Sequence, residues 1–307
     1  IAAGAAQVWK LHRRAFRLLQ MDYGARFRHA IERVIKQNQQ ASSPMMMRVA
    51  LRAMDRKREY EELHQSVLLN EFADVQAALM QLNIVKKLGS GAAGEVQLVI
   101  HIPTRKAYAL KKQPSSGYNG GVAKRKLIAQ EIACMREGAS PFLCRFYGEY
   151  NKPSVHAHVD PDVSHMLLEH LGGGSLEDMM KAAGGRDEGK GLTPQCTRFY
   201  FACVVAALDA LHAAAWMHRD IAAKNVVLSS SGYAKLIDCG LAKRVRESEQ
   251  TYTMAGTPIY IAPEVLNATG YGHKAEVWTL GVLLHEFYVG QLPFFVPPST
   301  AHLPTMR

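Results

Sequence analysis

The run His218-Arg219-Asp220-Ile221-Ala222-Ala223-Lys224-Asn225, followed by Asp238-Cys239-Gly240, spaces two carboxylates and an amide in a way that suits one kind of reaction. Moving a γ-phosphoryl group from ATP to a hydroxyl needs a carboxylate to orient the incoming oxygen. It also needs hard oxygen ligands to hold Mg²⁺ between the β- and γ-phosphates. Asp220 fits the first role; Asn225 and Asp238 fit the second. Alone, the run is a weak signal, because His, Arg and Asp also make ordinary surface hydrogen bonds. Its companions strengthen it. Gly89-Ser90-Gly91-Ala92-Ala93-Gly94-Glu95-Val96 and Tyr108-Ala109-Leu110-Lys111 precede it; Gly256-Thr257-Pro258-Ile259-Tyr260 and Ala262-Pro263-Glu264 follow.

Groups so dispersed along the chain need elements to gather them. The runs Ile84–Leu88 and Val96–Ile100 predict two antiparallel strands joined by the glycine loop. Glycines at 89, 91 and 94 let that backbone approach phosphates without an obstructing Cβ. Lys111, near the end of the next strand, supplies a point charge for the α- and β-phosphates, and Glu131, on a helix from Val122 to Arg136, orients it. Lys112 is the competing neighbour, and strand alternation must decide between them. Val96 and Ala109 are expected on one face of the adenine ring and Val227 on the other. Glu169 and Leu171 offer main-chain groups, Leu168 sits behind the base, and Leu88 completes the nucleotide site. Beyond Gly172-Gly173-Gly174 the chain reads as mainly helical, notably Pro194–His212 and Lys274–Val289.

With 307 residues the chain has room for about two domains of ~100–200 residues. The net charge of +10 is concentrated in Lys10–Arg14 and Arg48–Arg58, where basic residues alternate with apolar ones and, in the second, with Asp55. Solvated helix faces explain that pattern better than nucleic acid or a membrane surface does. The five cysteines have neither zinc spacing nor the density of a disulfide scaffold, which points to a reducing, cytoplasmic setting. No apolar run reaches the length of a membrane span. Residues 1–80 predict helical segments interrupted by Ser42-Ser43-Pro44, and residues 81–307 a separate domain divided into lobes at about 168/169.

The ordered motifs resemble those of eukaryotic protein kinases over roughly residues 82–296. Thr197–Val205, Gly232–Asp238 and Ala255–Val265 are most similar to the cyclic-GMP-dependent kinases of the Ser/Thr type. The resemblance implies an α+β, bilobal fold: a small antiparallel β lobe with one helix, then a mainly helical lobe. It implies ATP and Mg²⁺ as cofactors, protein Ser/Thr hydroxyls as acceptors, and Thr253 as a phosphorylation site paired with Arg219, Thr251 being the alternative. It also implies that Thr257 lies beside Asp220. Val8–Phe16 and Arg56–Leu63 resemble parts of a cyclic-nucleotide-binding domain, but its phosphate cassette is missing, so cyclic nucleotide is not expected to bind.

Several positions depart from the family pattern. Ala222 stands where a Lys usually meets the γ-phosphate, and Lys224, two residues on, is the substitute. Lys224 and Ser175 replace acidic residues that read basic substrates. Cys239 replaces a Phe, leaving a smaller apolar plug. Glu276 replaces an Asp that anchors the catalytic loop, and its extra methylene is expected to displace that anchor. The chain stops at Arg307 where the family continues through further helices, so Glu264 is expected to be a buried carboxylate without its arginine, at a cost of roughly 3–5 kcal/mol. The alternative to an active enzyme is an impaired pseudokinase scaffold that still binds ATP.

Overall fold

The computed structural model describes residues 81–91, 94–115, 121–150, 163–182, 189–246 and 248–294. The helical reading of residues 1–80, the cyclic-nucleotide-domain resemblance and the end of the chain lie outside them.

Five antiparallel strands form the first lobe: β1 (Leu82–Gly91), β2 (Gly94–His101), β3 (Ala107–Pro114), β4 (Phe146–Tyr150) and β5 (Val163–Glu169), in the order β1-β2-β3-β5-β4. Period-two alternation sets what faces inward. On β3, Lys111 and Gln113 are buried while Lys112 between them is half-buried, so Lys111 is the inward lysine. Gly94 starts β2 with φ +125°, and a Cβ there would lie 2.0 Å from the Lys112 carbonyl oxygen. A larger residue cannot occupy that position without moving β3.

Between β3 and β4 runs α1 (Gly121–Glu137), whose buried residues Ile128, Glu131, Ile132 and Met135 recur at helical spacing on one face. That stripe puts one carboxylate among apolar side chains and aims it at β3.

The second lobe contains α2 (Leu176–Ala182), α3 (Pro194–Ala213), α4 (Pro263–Leu266) and α5 (Lys274–Val289). Thr193 caps α3, accepting from Cys196 N at 3.2 Å, with Pro194 in the first turn. By length and composition α3 is apolar enough to cross a membrane. Here it is a core helix, with Cys203, Val204, Ala207, Leu208 and Leu211 all buried. Two short two-stranded sheets lie on this core. One pairs β6 (Trp216–Met217) with β9 (Lys243–Arg244); the other pairs β7 (Val226–Leu228) with β8 (Ala234–Leu236). The catalytic-loop run leaves β6 and enters β7, and Asp238 follows β8, so these small sheets hold both halves of the motif and bring Asp238 to Lys111 of the first lobe.

Candidate active site

Lys111 Nζ lies 2.6 Å from Glu131 Oε1 and 2.8 Å from Asp238 Oδ1, joining β3, α1 and the β8 exit at one ammonium. Gln113 Nε2 donates to the other oxygen of Glu131 at 2.9 Å. Burial works against the charge on Lys111, but the two carboxylates outweigh it and raise its pKa well above the ordinary lysine value. Burial also pushes the Asp238 carboxyl up, while the Lys111 ammonium and its hydrogen bond pull it net below the usual range.

The second cluster centres on Asp220. Its Oδ1 accepts from Thr257 Oγ1 at 2.5 Å and its Oδ2 from Asn225 Nδ2 at 2.8 Å; Lys224 Nζ stands 3.5 Å from Oδ2. His218, fully buried, bonds the Ile237 carbonyl through Nε2 at 3.0 Å and accepts from Asp220 N through Nδ1 at 3.3 Å. Arg219 and Asp238 hold left-handed backbone conformations, φ +67° and +64°, although neither is glycine. Such strain, of order 1–3 kcal/mol per residue, persists where surrounding bonds over-determine the geometry. Gly256, φ +121°, lies against the same loop, and a Cβ there would meet Arg219 O at 2.5 Å.

Glu276 does not displace the catalytic loop. Its longer side chain reaches Arg219 N with Oε1 at 2.7 Å, while Oε2 pairs with His212 Nε2 at 2.6 Å. The His273 ring packs on His212 with centroids 4.4 Å apart. Burial of Glu276 disfavours its charge, but the His212 bond and charge, with the Arg219 amide, bring its pKa below the ordinary value. The extra methylene is absorbed by the histidine. The expectation for Glu264 is also corrected: the residue is half-buried rather than buried, so the cost of a fully desolvated charge does not apply.

The residues expected around the nucleotide are spread over β1, β2, β3, the end of β5 and β7. Ala109 is buried, Val96, Val227, Glu169 and Leu171 are half-buried, and Leu88 is 43 % exposed. Val96 pairs with Lys111 and Gly89 across the sheet, and Ala109 with Leu168. Among the described residues a Cβ at Gly89 or Gly91 would meet nothing within 4 Å. Glu169 N donates to Arg145 O at 2.8 Å, its carboxylate accepts from Lys235 and from Arg145 N, and its carbonyl accepts from Cys144 Sγ at 3.7 Å.

Around the threonines the arrangement differs from expectation. Thr253 is exposed and its hydroxyl accepts from Lys243 Nζ at 3.1 Å; Arg219 instead bonds Leu241 O and the Tyr271 hydroxyl. Burial lowers the pKa of Lys243, and the charges of Arg219 and Lys126 lower it further. Thr251 is 2 % exposed, which makes it a poor alternative. Sequence reasoning missed Gln113, His212 and Lys243. Alternation on β3 would have found Gln113, whereas His212 meets a partner 64 residues away and carried no local signal.

A protein kinase domain model matches residues 82–303. The chain is 36 % identical over 223 residues to a cGMP-dependent protein kinase of Eimeria tenella, covering 72 % of this chain and 20 % of the relative. It is 32 % identical over 231 residues to cGMP-dependent protein kinase isozyme 1 of Drosophila melanogaster (75 % and 28 %). With Rho-associated protein kinase 1 of Homo sapiens the identity is 34 % over 236 residues (74 % and 16 %). The matched region thus spans between about a sixth and a quarter of these relatives' lengths. A five-stranded lobe over a helical one, the gathered ordered motifs and a family match across most of the chain agree: the chain belongs to the protein kinase domain family.

Proposed function

We propose that this chain is a Ser/Thr protein kinase that transfers the γ-phosphate of Mg-ATP to protein hydroxyls. The observation that carries this reading is the meeting of β3, α1 and the β8 exit on Lys111, within 2.8 Å, beside an Asp220 whose carboxylate is turned to Thr257. Lys111, oriented by Glu131, holds the α- and β-phosphates. The acceptor oxygen attacks the γ-phosphorus, the bond to the bridging oxygen breaks, ADP leaves, and the hydroxyl proton passes to the Asp220 carboxylate. Lys224 neutralises the transferring group in place of the absent lysine at 222.

Asn225 and Asp238 supply the metal ligands. Among the described residues no hydrogen bond engages Asn225 Oδ1 or Asp238 Oδ2, two hard oxygens that suit Mg²⁺. There Asn225 and Asp238 would hold the ion, which would supply charge to offset that of the phosphates. Thr257 favours Ser/Thr acceptors, and phosphate on Thr253 is received by Lys243 with Arg219 and Lys126 nearby. The freedom of all five cysteines supports a cytoplasmic setting. Cyclic nucleotide is not part of the reading for this chain, although two of the relatives are named for cGMP.

The test is transfer of labelled γ-phosphate to mixed Ser, Thr and Tyr peptides, with Asp220→Asn as control. Incorporation on Ser and Thr, reduced about 10²–10⁴-fold by the substitution, is expected. Incorporation that survives Asp220→Asn overturns the assigned role.

A further inference from the structure

Helix α1 ends on a residue that its own dipole disfavours. A helix C-terminus carries partial negative charge, so a carboxylate there costs about 0.3–1 kcal/mol, yet the last residue of α1 is Glu137. Its Oε2 accepts the indole N–H of Trp216 at 3.0 Å and Arg244 Nη2 at 2.6 Å. The Arg244 guanidinium lies over the Trp216 ring, 5.5 Å from its centroid. Trp216 and Arg244 are also register partners between β6 and β9. One carboxylate therefore ties together three elements: α1, which carries Glu131; β6, which leads into His218–Asp220; and β9, where the segment bearing Thr251 and Thr253 begins.

Burial divides the labour within this cluster. Trp216 is 3 % exposed, so its N–H is withdrawn from water and depends on Glu137 as acceptor. The Glu137 and Arg244 side chains remain 39 % and 54 % exposed, which leaves their ion pair screened and adjustable. Successive strand residues face opposite ways. Arg244 meets Glu137, while its neighbour Lys243 meets the hydroxyls of Thr251 and Thr253 at 2.6 and 3.1 Å.

We infer that Glu137 is a positioning residue for phosphoryl transfer: through Trp216 and Arg244 it holds α1 at the angle that keeps Glu131 on Lys111, and links that angle to the strand facing Thr251 and Thr253. The inference rests on the kinase reading. Glu131 lies six residues, or about 9 Å, along the helix from Glu137, so a tilt of ~10° displaces one relative to the other by ~1.5 Å. A contact of 2.6 Å does not survive such a displacement.

The experiment compares Glu137→Ala, Arg244→Ala, the double variant and Glu137→Gln by steady-state transfer kinetics, melting temperature and hydrogen exchange over residues 121–137. Each Ala variant is expected to lower kcat about fivefold with the ATP KM within about twofold, and the double is no worse than the poorer single. Glu137→Gln recovers part of the rate, because its amide oxygen still accepts from Trp216. Exchange in α1 rises in both Ala variants. Unchanged kcat, additive losses in the double, or loss of rate that merely follows a fall in melting temperature with α1 exchange unaltered would each overturn the inference. A native chain that transfers no phosphate defeats the kinase reading alone. Exchange then decides the latch by itself, and unaltered α1 exchange in Glu137→Ala refutes it.

Discussion

Two lysine–carboxylate contacts serve the two sides of the active site, and they are built in opposite ways. Lys111 and Glu131 meet at 2.6 Å with 6 % and 2 % of their side chains exposed; Lys224 and Asp220 meet at 3.5 Å with 45 % and 11 % exposed. The same residue types thus form a fixed grip on the side proposed for the nucleotide and a loose contact on the side proposed for the acceptor. Interior charges interact strongly and tolerate no missing partner, whereas an exposed lysine shares its interaction with water. A nucleotide is always the same, so its site can be set in advance. In the proposed reaction acceptors vary, and a movable cation beside Asp220 would accommodate them. On that side rigidity resides in the backbone, through Glu276 on Arg219 N, more than in the lysine.

The largest effect expected from this contrast is that of Lys111→Met. Without the ammonium, Glu131 and Asp238 face each other uncompensated, and transfer falls about 10²–10³-fold as one electrostatic stabiliser of the phosphates is lost. Stability falls as well, but by less than the ~3–5 kcal/mol of a fully buried broken pair, because the Asp238 carboxylate still reaches water and Gln113 still bonds Glu131. Transfer kinetics and denaturant unfolding measure the two losses separately. A variant with near-native rate would erase the distinction between the two lysines.

Glu276 tests whether acceptor-side rigidity lies in the backbone. Its folded pKa is depressed below the ordinary value near 4.5. The folded state therefore binds this proton less readily than the unfolded chain, and the associated stability is present above about pH 4.5. It is lost as pH falls through the lowered folded value. Glu276→Gln is expected to cost about 1–2 kcal/mol at neutral pH, since His212 then faces an amide that must share its hydrogen-bonding capacity differently. The variant should also show a flatter loss of stability on acidification than the native chain. Urea midpoints measured from pH 7 to pH 3 check both, and an identical acid slope in the two proteins would remove Glu276 as the anchor.

Much of this arrangement was legible in the sequence because the motifs are local. The glycine loop, Lys111, the 218–225 run and Asp238 are contiguous signatures, and helices α1, α3 and α5 lie within a residue of their predicted ends. The lysine at the site follows from alternation on β3, since Gln113 shares the inward face with Lys111. Distant partners were not legible. Nothing near Glu276 announces His212, and the departure from Asp looked damaging only because the residue that absorbs the extra length lies on another helix. Likewise nothing in the sequence placed Lys243 at the Thr253 hydroxyl, or the Arg219 guanidinium on the Tyr271 hydroxyl and the Leu241 carbonyl. Rearrangements among long cationic side chains depend on tertiary geometry that spacing does not encode.

The smallest of these effects on stability belongs to Lys224→Ala, and it sharpens the comparison most because rate and stability should part company. A contact 3.5 Å long with its lysine 45 % exposed contributes at most ~1 kcal/mol to folding, so the melting temperature should move by no more than about 2–4 °C. The rate should fall further than that figure suggests, by about tenfold, if the ammonium turns from Asp220 to the transferring phosphoryl group, where charge develops in a water-poor site. The loss should appear in kcat with the ATP KM little changed, since Lys111 still holds the nucleotide. Lys224→Arg, which keeps the charge on a side chain of similar reach, should recover most of the rate. Equal losses in Lys224→Ala and Lys224→Arg would mean that the shape of the loop matters and its charge does not, and the role of an adjustable cation would pass to another residue.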